Sequence, residues 1–369
     1  MILDMRYKNK IYIIAEIGVN HNGNINTAKE MIIKCKKSGA DAVKFQTYKT
    51  ENICDTTANK ASYQKKSSNE KTQYEMLKKY ELTFKQFSIL KNYANNHNID
   101  FLTTASDVET FKFITKNLRL STIKIGSSDL TNIQLLLHAG NSKKKVILST
   151  GMSSLKEIDI ALSALCYGLL NKDHLFDYKR DRYLYLHNKN YIKSKITLLH
   201  CTTEYPAPID ELNLNVIATL QERYNTRIGY SDHSHNVVTS LVAIGKGASV
   251  IEVHVTKCRS MVGPDHSSSL TFTEFKKYNQ RIREAETILG SYTKTATKSE
   301  NNNKPSVMKK LFFTTNIKKG VLIKDKHISC KRSESGLSSI RYSDVINKIV
   351  TKDFKKSEKI NMRNIKKHD

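Results

Sequence analysis

The sequence predicts an α/β protein in which eight parallel strands close into a barrel ringed by helices, followed by a small β-rich domain. Two observations carry that expectation. Short β-rich runs alternate with amphipathic helical stretches eight times before Gly290, and eight is the number of βα units that closes a parallel barrel. Beyond Gly290 the alternation stops and a polar stretch leads into a piece with a different pattern. An open doubly wound sheet is the alternative that the same alternation allows.

The elements follow in order. "IYIIAEIG" is the first strand, and "NTAKEMIIKCKKSGA" is the first helix, stopped at Gly39. "DAVKFQTY", "DFLTTAS", "STIKIGSSD", "KVILSTG", "KITLLHCT", "RIGYSDHS" and "SVIEVHVT" complete the set of strands. Each is succeeded by a helical pattern such as "FKQFSILKNYANNH" or "FTEFKKYNQRIREAETIL". Two interruptions depart from the repeat. Residues 49–82, polar and rich in Lys, Ser and Asn, form a long βα loop at the barrel end where active sites lie, whereas residues 171–194 form an αβ insertion at the opposite end. The predicted division is a barrel domain over 1–290, a polar linker over 291–306 and a small β-rich domain over 307–369, with short strands punctuated by turn-like Lys-Lys-Gly.

Composition narrows the function. With 369 residues and 39% hydrophobic content the chain has enough apolar mass for about two domains with proper cores. The formal net charge of +26 invites a nucleic-acid reading, but the lysines are spread along the whole chain and form no basic stripe interleaved with aromatics. The expectation is therefore no nucleic-acid partner, and a surface that concentrates anionic substrates such as phosphates and carboxylates. Cys35, Cys54, Cys166, Cys201, Cys258 and Cys330 are scattered without CxxC spacing, which argues against a zinc ribbon and a disulfide framework and for reduced thiols. The start "MILDMRYKNK" has no apolar signal core, and no apolar run approaches the roughly 20 residues of a membrane helix. A cytoplasmic protein without a membrane partner is expected.

Period-two alternation sorts the strand residues by face. In "VIEVHVT", Ile251, Val253 and Val255 pack outward on helices, leaving Glu252, His254 and Thr256 inward. By the same rule Lys44 and Gln46 oppose Val43 and Phe45, Lys124 opposes Ile123 and Ile125, and Gly229, Ser231 and His233 point together. Inward charges near strand ends are costly unless a ligand or counter-ion meets them. The bland reading is that Lys44 and Lys124 form internal ion pairs with Glu16 or Asp129. The functional reading is a polar mouth where two lysines and serines hold an anion and His233 and His254 hold a divalent ion. Cys201 follows His200, but strand neighbours point to opposite faces, so a packed thiol is expected rather than a nucleophile.

"AEIGVNHNG", "KFQ", "KIGSSD", "STGM", "HCTTEYPAP", "GYSDH", "IEVHVT" and "GPDHSSSL", in this order, resemble the sialic acid synthase family, the bacterial N-acetylneuraminate synthases. The likeness spans nearly the whole chain, and "CKRSESG" resembles part of their antifreeze-like SAF domain. It implies a TIM barrel with a SAF domain swapped between the subunits of a homodimer, and condensation of phosphoenolpyruvate with an N-acetylated hexosamine to a nonulosonic acid and phosphate. N-acetylmannosamine is the first expectation for the sugar; a 2,4-diacetamido-trideoxyhexose, giving legionaminic or pseudaminic acid, is the alternative. By matching position, Lys44, Lys124, Ser127, Ser149 and Ser231 would hold phosphoenolpyruvate, and Thr104, in the same mouth, would join them. His233 and His254 would bind Mn²⁺ or Mg²⁺. Gln46, Tyr205 and Asp265 would face the sugar, with Arg332 reaching it from a partner's SAF domain. Glu16 also matches a sugar-side position, and Glu16 or Asp129 would move protons beside the catalytic lysines Lys44 and Lys124. His235 matches no role. The chain departs from the family where relatives read Thr-Pro-Phe and it has Thr104, Ala105 and Ser106, where some have Glu at Asp129, and where some have Asn at Thr203.

Overall fold

The computed structural model describes residues 10–172 and 174–367. The first nine residues, the greater part of the stretch read as lacking a signal core, lie outside the described residues. Two compact units are present, Met1–Gly290 and Ser291–Asp369.

The first unit is a closed (β/α)8 barrel. Its strands are β1 (Tyr12–Gly18), β2 (Ala42–Thr47), β3 (Asp100–Ala105), β4 (Thr122–Ile125), β5 (Lys145–Ser149), β6 (Ile196–His200), β7 (Arg227–Asp232) and β8 (Val250–Thr256). They pair in parallel in sequence order, and β1 pairs with β8 to close the ring, which excludes the open doubly wound sheet. A two-residue strand, β9 (Leu270–Thr271), extends the β8 edge beyond the ring.

Helices follow the strands: α1 (Ile25–Lys37) after β1, then α2 (Thr50–Ile53), α3 (Ser62–Ser67), α4 (Gln73–Tyr80) and α5 (Phe84–Asn96) after β2. The remainder are α6 (Val108–Lys112), α7 (Ile133–Asn141), α8 (Leu155–Leu170), α9 (Lys189–Lys195), α10 (Val216–Tyr224), α11 (Val237–Gly245) and α12 (Phe272–Leu289). Capping boxes start α5 at Thr83 and Gln86, α8 at Ser154 and Glu157, and α12 at Thr271 and Glu274. Each supplies acceptors for backbone N–H groups that a helix start leaves unpaired. Residues 49–82 are thus three short helices rather than a plain loop. They are tied to the barrel by Tyr48, whose hydroxyl donates to the Leu77 carbonyl at 3.0 Å.

Two apolar layers explain the ring. Outward strand residues such as Val43, Phe45, Ile123, Ile125, Ile251 and Val253 merge with inward helix faces into one large core. Inside the barrel a smaller cluster, Ile14, Ala42, Leu102, Ile147, Leu199 and Val250, fills the floor. Gly229 belongs to this tight layer: a Cβ there would lie 2.6 Å from the Val250 carbonyl oxygen and 2.5 Å from Leu199. Larger side chains have no room at that level.

The second unit holds the stretch expected as a linker, part of which is helical. α13 (Lys298–Val307) starts from a capping box of Thr297 and Glu300, and its residues are exposed. Two antiparallel pairs follow, β10 (Lys309–Phe313) with β11 (Ile328–Arg332) and β12 (Lys348–Val350) with β13 (Ile365–Lys367). Leu311, Phe313, Ile317, Ile323, Val345, Val350, Phe354 and Ile360 make a separate small core. Among the described residues no helix is long and apolar enough to cross a membrane.

Candidate active site

Moving two residues along each strand from the floor changes the barrel interior from apolar to polar. Ile14 gives way to Glu16, Ala42 to Lys44 and then Gln46, Leu102 to Thr104, Ile147 to Ser149, and Val250 to Glu252 and then His254. These residues, with Lys124, Ser127, Asp129, Tyr205, Ser231 and His233, line a cavity of about 580 Å³ at the C-terminal end of the strands. Asn52, Ile53, Gln64, Gln73 and Leu77 of the 49–82 insert line it as well.

Four buried charges cross this layer. The Lys44 ammonium lies 2.7 Å from Glu16 and 3.6 Å from Glu252, and that of Lys124 lies 3.6 Å from the same Glu252 oxygen. Lys124 donates to Ser149 Oγ at 2.7 Å, and Ser231 Oγ donates to Glu252 at 3.0 Å. Burial pushes the Glu16 carboxyl up to about 7 against the pull of Lys44. Burial opposes the charge on Glu252 too, but Lys124 and Lys44 outweigh it and hold that carboxyl below the usual range. Lys44 is held above its ordinary value because Glu16 and Glu252 outweigh burial, whereas burial draws Lys124 down despite Glu252. The ion-pair reading and the inward-facing reading of the lysines therefore both hold. Glu16 is a lysine partner as expected, at Lys44, whereas Asp129 is not: Lys124 pairs with Glu252 instead. Asp129 sits on the turn after β4, bonded by the Asn132 amide at 3.3 Å and pushed up by burial. Glu252 was legible as an inward residue, but nothing in the sequence said which lysines it would meet.

Thr104, Ser127, Ser149 and Ser231 line the same cavity. Thr104 is the register partner of Lys124. Ser127 Oγ accepts from the Gly151 N–H at 3.1 Å and meets the Cys201 thiol at 3.2 Å. Cys201 faces inward, while His200 turns outward to the Leu212 carbonyl at 2.7 Å, so the two are not an acid–base pair. At the departure from the family pattern, Ala105 is buried in the outer core and Ser106 lines the cavity.

The histidines meet beside this charged layer, His233 Nε2 lying 3.2 Å from Ser231 Oγ and His254 in register with Glu16. The His233 and His254 rings lie 5.5 Å apart, with the Tyr205 ring 4.2 Å from the first and 5.5 Å from the second. Nδ1 of His233 lies 2.6 Å from the Thr202 carbonyl, which can only accept, so Nδ1 carries the proton and Nε2 keeps its lone pair. His254 Nδ1 makes no hydrogen bond and lies 3.6 Å from Asp265 Oδ2. Burial lowers both imidazoles and pushes Asp265 up to about 6. Neutral imidazoles are the form that binds metals, and a ring fixed through its other nitrogen is the usual support of a ligand histidine. The donor set therefore fits a divalent ion held by two histidines, with oxygen ligands from elsewhere. Among the described residues no cluster of three His, Cys, Asp or Glu side chains makes an all-protein metal site. Gln46 donates to Glu16 at 3.2 Å on the wall between the charged layer and the insert. His235 is in the turn after β7 at φ +60°, and Arg332 ends β11, exposed, in the second unit.

The model of the NeuB family matches residues 31–294. The chain belongs to the NeuB family. As a member it is an enzyme, one of the phosphoenolpyruvate-dependent nonulosonic acid synthases. It is 41% identical over 353 residues to the N,N'-diacetyllegionaminic acid synthase of Campylobacter jejuni, covering 95% of this chain and 99% of that one. It is 36% identical to the N,N'-diacetyllegionaminic acid synthase of Legionella pneumophila, covering 91% and 89%. Among solved structures, an N-acetylneuraminic acid synthetase from Leptospira borgpetersenii in complex with citrate is 31% identical, with a TM-score of 0.65 over 81% of this chain and 93% of that one.

Glu252→Gln removes the carboxylate between two buried ammonium groups. Breaking such a pair costs about 3–5 kcal/mol, so urea unfolding should show a loss of that order, in contrast to a near-neutral effect at an exposed pair such as Lys318 and Asp353.

Proposed function

We propose that this NeuB-family enzyme is an N,N'-diacetyllegionaminic acid synthase, condensing phosphoenolpyruvate with a 2,4-diacetamido-trideoxyhexose. The observation that carries the choice of product is the match along nearly the entire chain to legionaminic acid synthases, at higher identity than to the neuraminic acid synthetase. This reverses the order expected from sequence, which put N-acetylmannosamine first. The cavity supports the same choice. The barrel strands supply its charges, whereas the insert contributes carboxamides and aliphatic carbons, Asn52, Gln64, Gln73, Ile53 and Leu77, chemistry suited to a neutral sugar with acetamido and methyl groups.

In this reading Lys44 and Lys124 supply positive charge to the phosphate and carboxylate, and Thr104, Ser127, Ser149 and Ser231 add hydrogen bonds from fixed positions. C3 of the enol then forms a bond to the aldehyde carbon of the open-chain sugar. Water adds at C2, and cleavage of the C2–O bond releases phosphate. A divalent ion, Mn²⁺ or Mg²⁺, held by His233 and His254 would serve as a Lewis acid toward the aldehyde. Gln46, Tyr205 and Asp265 orient the sugar. Glu16, with a carboxyl near neutrality and a place beside Lys44, takes a proton from the added water and returns it to the former aldehyde oxygen; Asp129 is another carboxyl that lines the cavity.

We also read the second unit as a SAF domain, swapped in a homodimer so that Arg332 reaches a partner's sugar; its planar fork suits an acetamido oxygen. The cytoplasm is the location we assign, in keeping with six free cysteines.

Phosphate release from phosphoenolpyruvate, measured with a panel of sugars, tests the main reading. The 2,4-diacetamido-trideoxyhexose should give a kcat/KM at least tenfold above that of N-acetylmannosamine, a gap of about 1.4 kcal/mol in transition-state binding; a preference for N-acetylmannosamine would overturn it. Mixing Arg332→Ala with Lys124→Met subunits tests the dimer. Each alone should be nearly inactive, and hybrids should regain activity because one of their two sites carries neither lesion. No recovery on mixing would contradict the swap.

A further inference from the structure

We propose that Asp232 is a positioning residue that, together with Tyr278 and Ser240, fixes the direction in which His233 enters the cavity; the inference rests on the reading of His233 as a metal ligand. Asp232 lies between Ser231 and His233 at the end of β7, and alternation turns it away from the cavity toward α11 and α12. It is 1% exposed, yet no cation forms an ion pair with it among the described residues. Donors surround it instead. One carboxylate oxygen accepts from the Ser234 N–H at 2.9 Å, the Ser234 hydroxyl at 2.6 Å and, at a longer 3.5 Å, the Tyr230 hydroxyl. The other lies 2.9 Å from the hydroxyls of Thr239, Ser240 and Tyr278; Ser240 and Tyr278 also bond each other, so this pair brings one donor to the carboxylate and Thr239 another.

A buried carboxylate without a counter-ion is expensive unless hydrogen bonds replace its water, and this one has a full set. Helix docking alone does not require such a group. At the α8–α10 contact the buried Asp159 does that work with a cation, accepting from Arg223 at 2.6 Å and from Tyr224 at 2.8 Å. What distinguishes Asp232 is its neighbour. His233 is held through its ring by the Thr202 carbonyl at Nδ1 and by Ser231 Oγ, 3.2 Å from Nε2, and through its own carbonyl by the Ala207 N–H at 2.9 Å. The Asp232 carboxylate adds the one hold from outside the barrel, pinning the preceding residue to two helices. These fixed points together leave the imidazole little freedom to turn, which is what a site with only two protein ligands needs.

The experiment is a Mn²⁺ titration followed by electron paramagnetic resonance on the full-length enzyme, wild type beside Asp232→Asn, Tyr278→Phe and Asp159→Asn. Replacing the support of a ligand typically weakens metal binding 10- to 100-fold. Asp232→Asn should fall in that range, with Tyr278→Phe shifted in the same direction by a smaller factor. Asp159→Asn should lower the thermal midpoint while keeping the wild-type affinity, because it disturbs packing and not the histidine. If Asp232→Asn does not fold, Tyr278→Phe decides. Folded variants that bind Mn²⁺ as tightly as wild type would overturn the inference and leave the reading of the histidines intact. A wild-type enzyme that takes up no Mn²⁺ would overturn that reading and this inference with it.

Discussion

The arrangement on which the site depends is the buried array of Glu16, Lys44, Glu252 and Lys124 inside the barrel. Buried ion pairs seldom stabilise a fold better than well-packed apolar residues would. This barrel demonstrates the alternative two residues below, where Ile14, Ala42, Leu102, Ile147, Leu199 and Val250 fill the interior without any charge. The change from carbon to charge within one strand repeat is therefore a feature of function rather than of stability. With Glu252 shared between both lysines, the ammonium groups are held in place and out of water at the wall of the cavity.

Everything around the array keeps it in that state. The apolar floor denies water a path from below, and the helices of the 49–82 insert cover one side of the mouth. Short strands such as β4, four residues long, place Lys124 with little slack, and the turn after it delivers Ser127 and Asp129 to the rim. Low dielectric makes each fixed charge and hydroxyl count for more than it would in water.

Much of this was legible in the sequence because a barrel strand has a simple rule. Period two placed Lys44, Lys124, Ser231, His233 and His254 inward, and eight alternations gave the ring. What the rule does not contain is distance across the barrel, which depends on the stagger of non-adjacent strands; hence Asp129 was considered as a lysine partner and Glu252 was only counted as inward. The helices of residues 49–82 and α13 were hidden for another reason. They are short and mostly polar; only α4 carries apolar residues at helical spacing, Met76 and Tyr80, over two turns, although the Thr72 and Glu75 pair of α4 and the Thr297 and Glu300 pair of α13 were visible start signals. The choice of sugar, finally, was not legible at all: the insert residues that line the cavity are neutral side chains on short helices, where no strand rule applies.

The central claim is that the shared-carboxylate array is the receptor for phosphoenolpyruvate. A crystal structure of the enzyme with phosphoenolpyruvate bound and no sugar present tests it most directly. The account predicts phosphate and carboxylate oxygens within hydrogen-bond distance of both the Lys44 and Lys124 ammonium groups, with Glu252 still between them. Phosphoenolpyruvate bound elsewhere, with the four charges still paired only to one another, would contradict it.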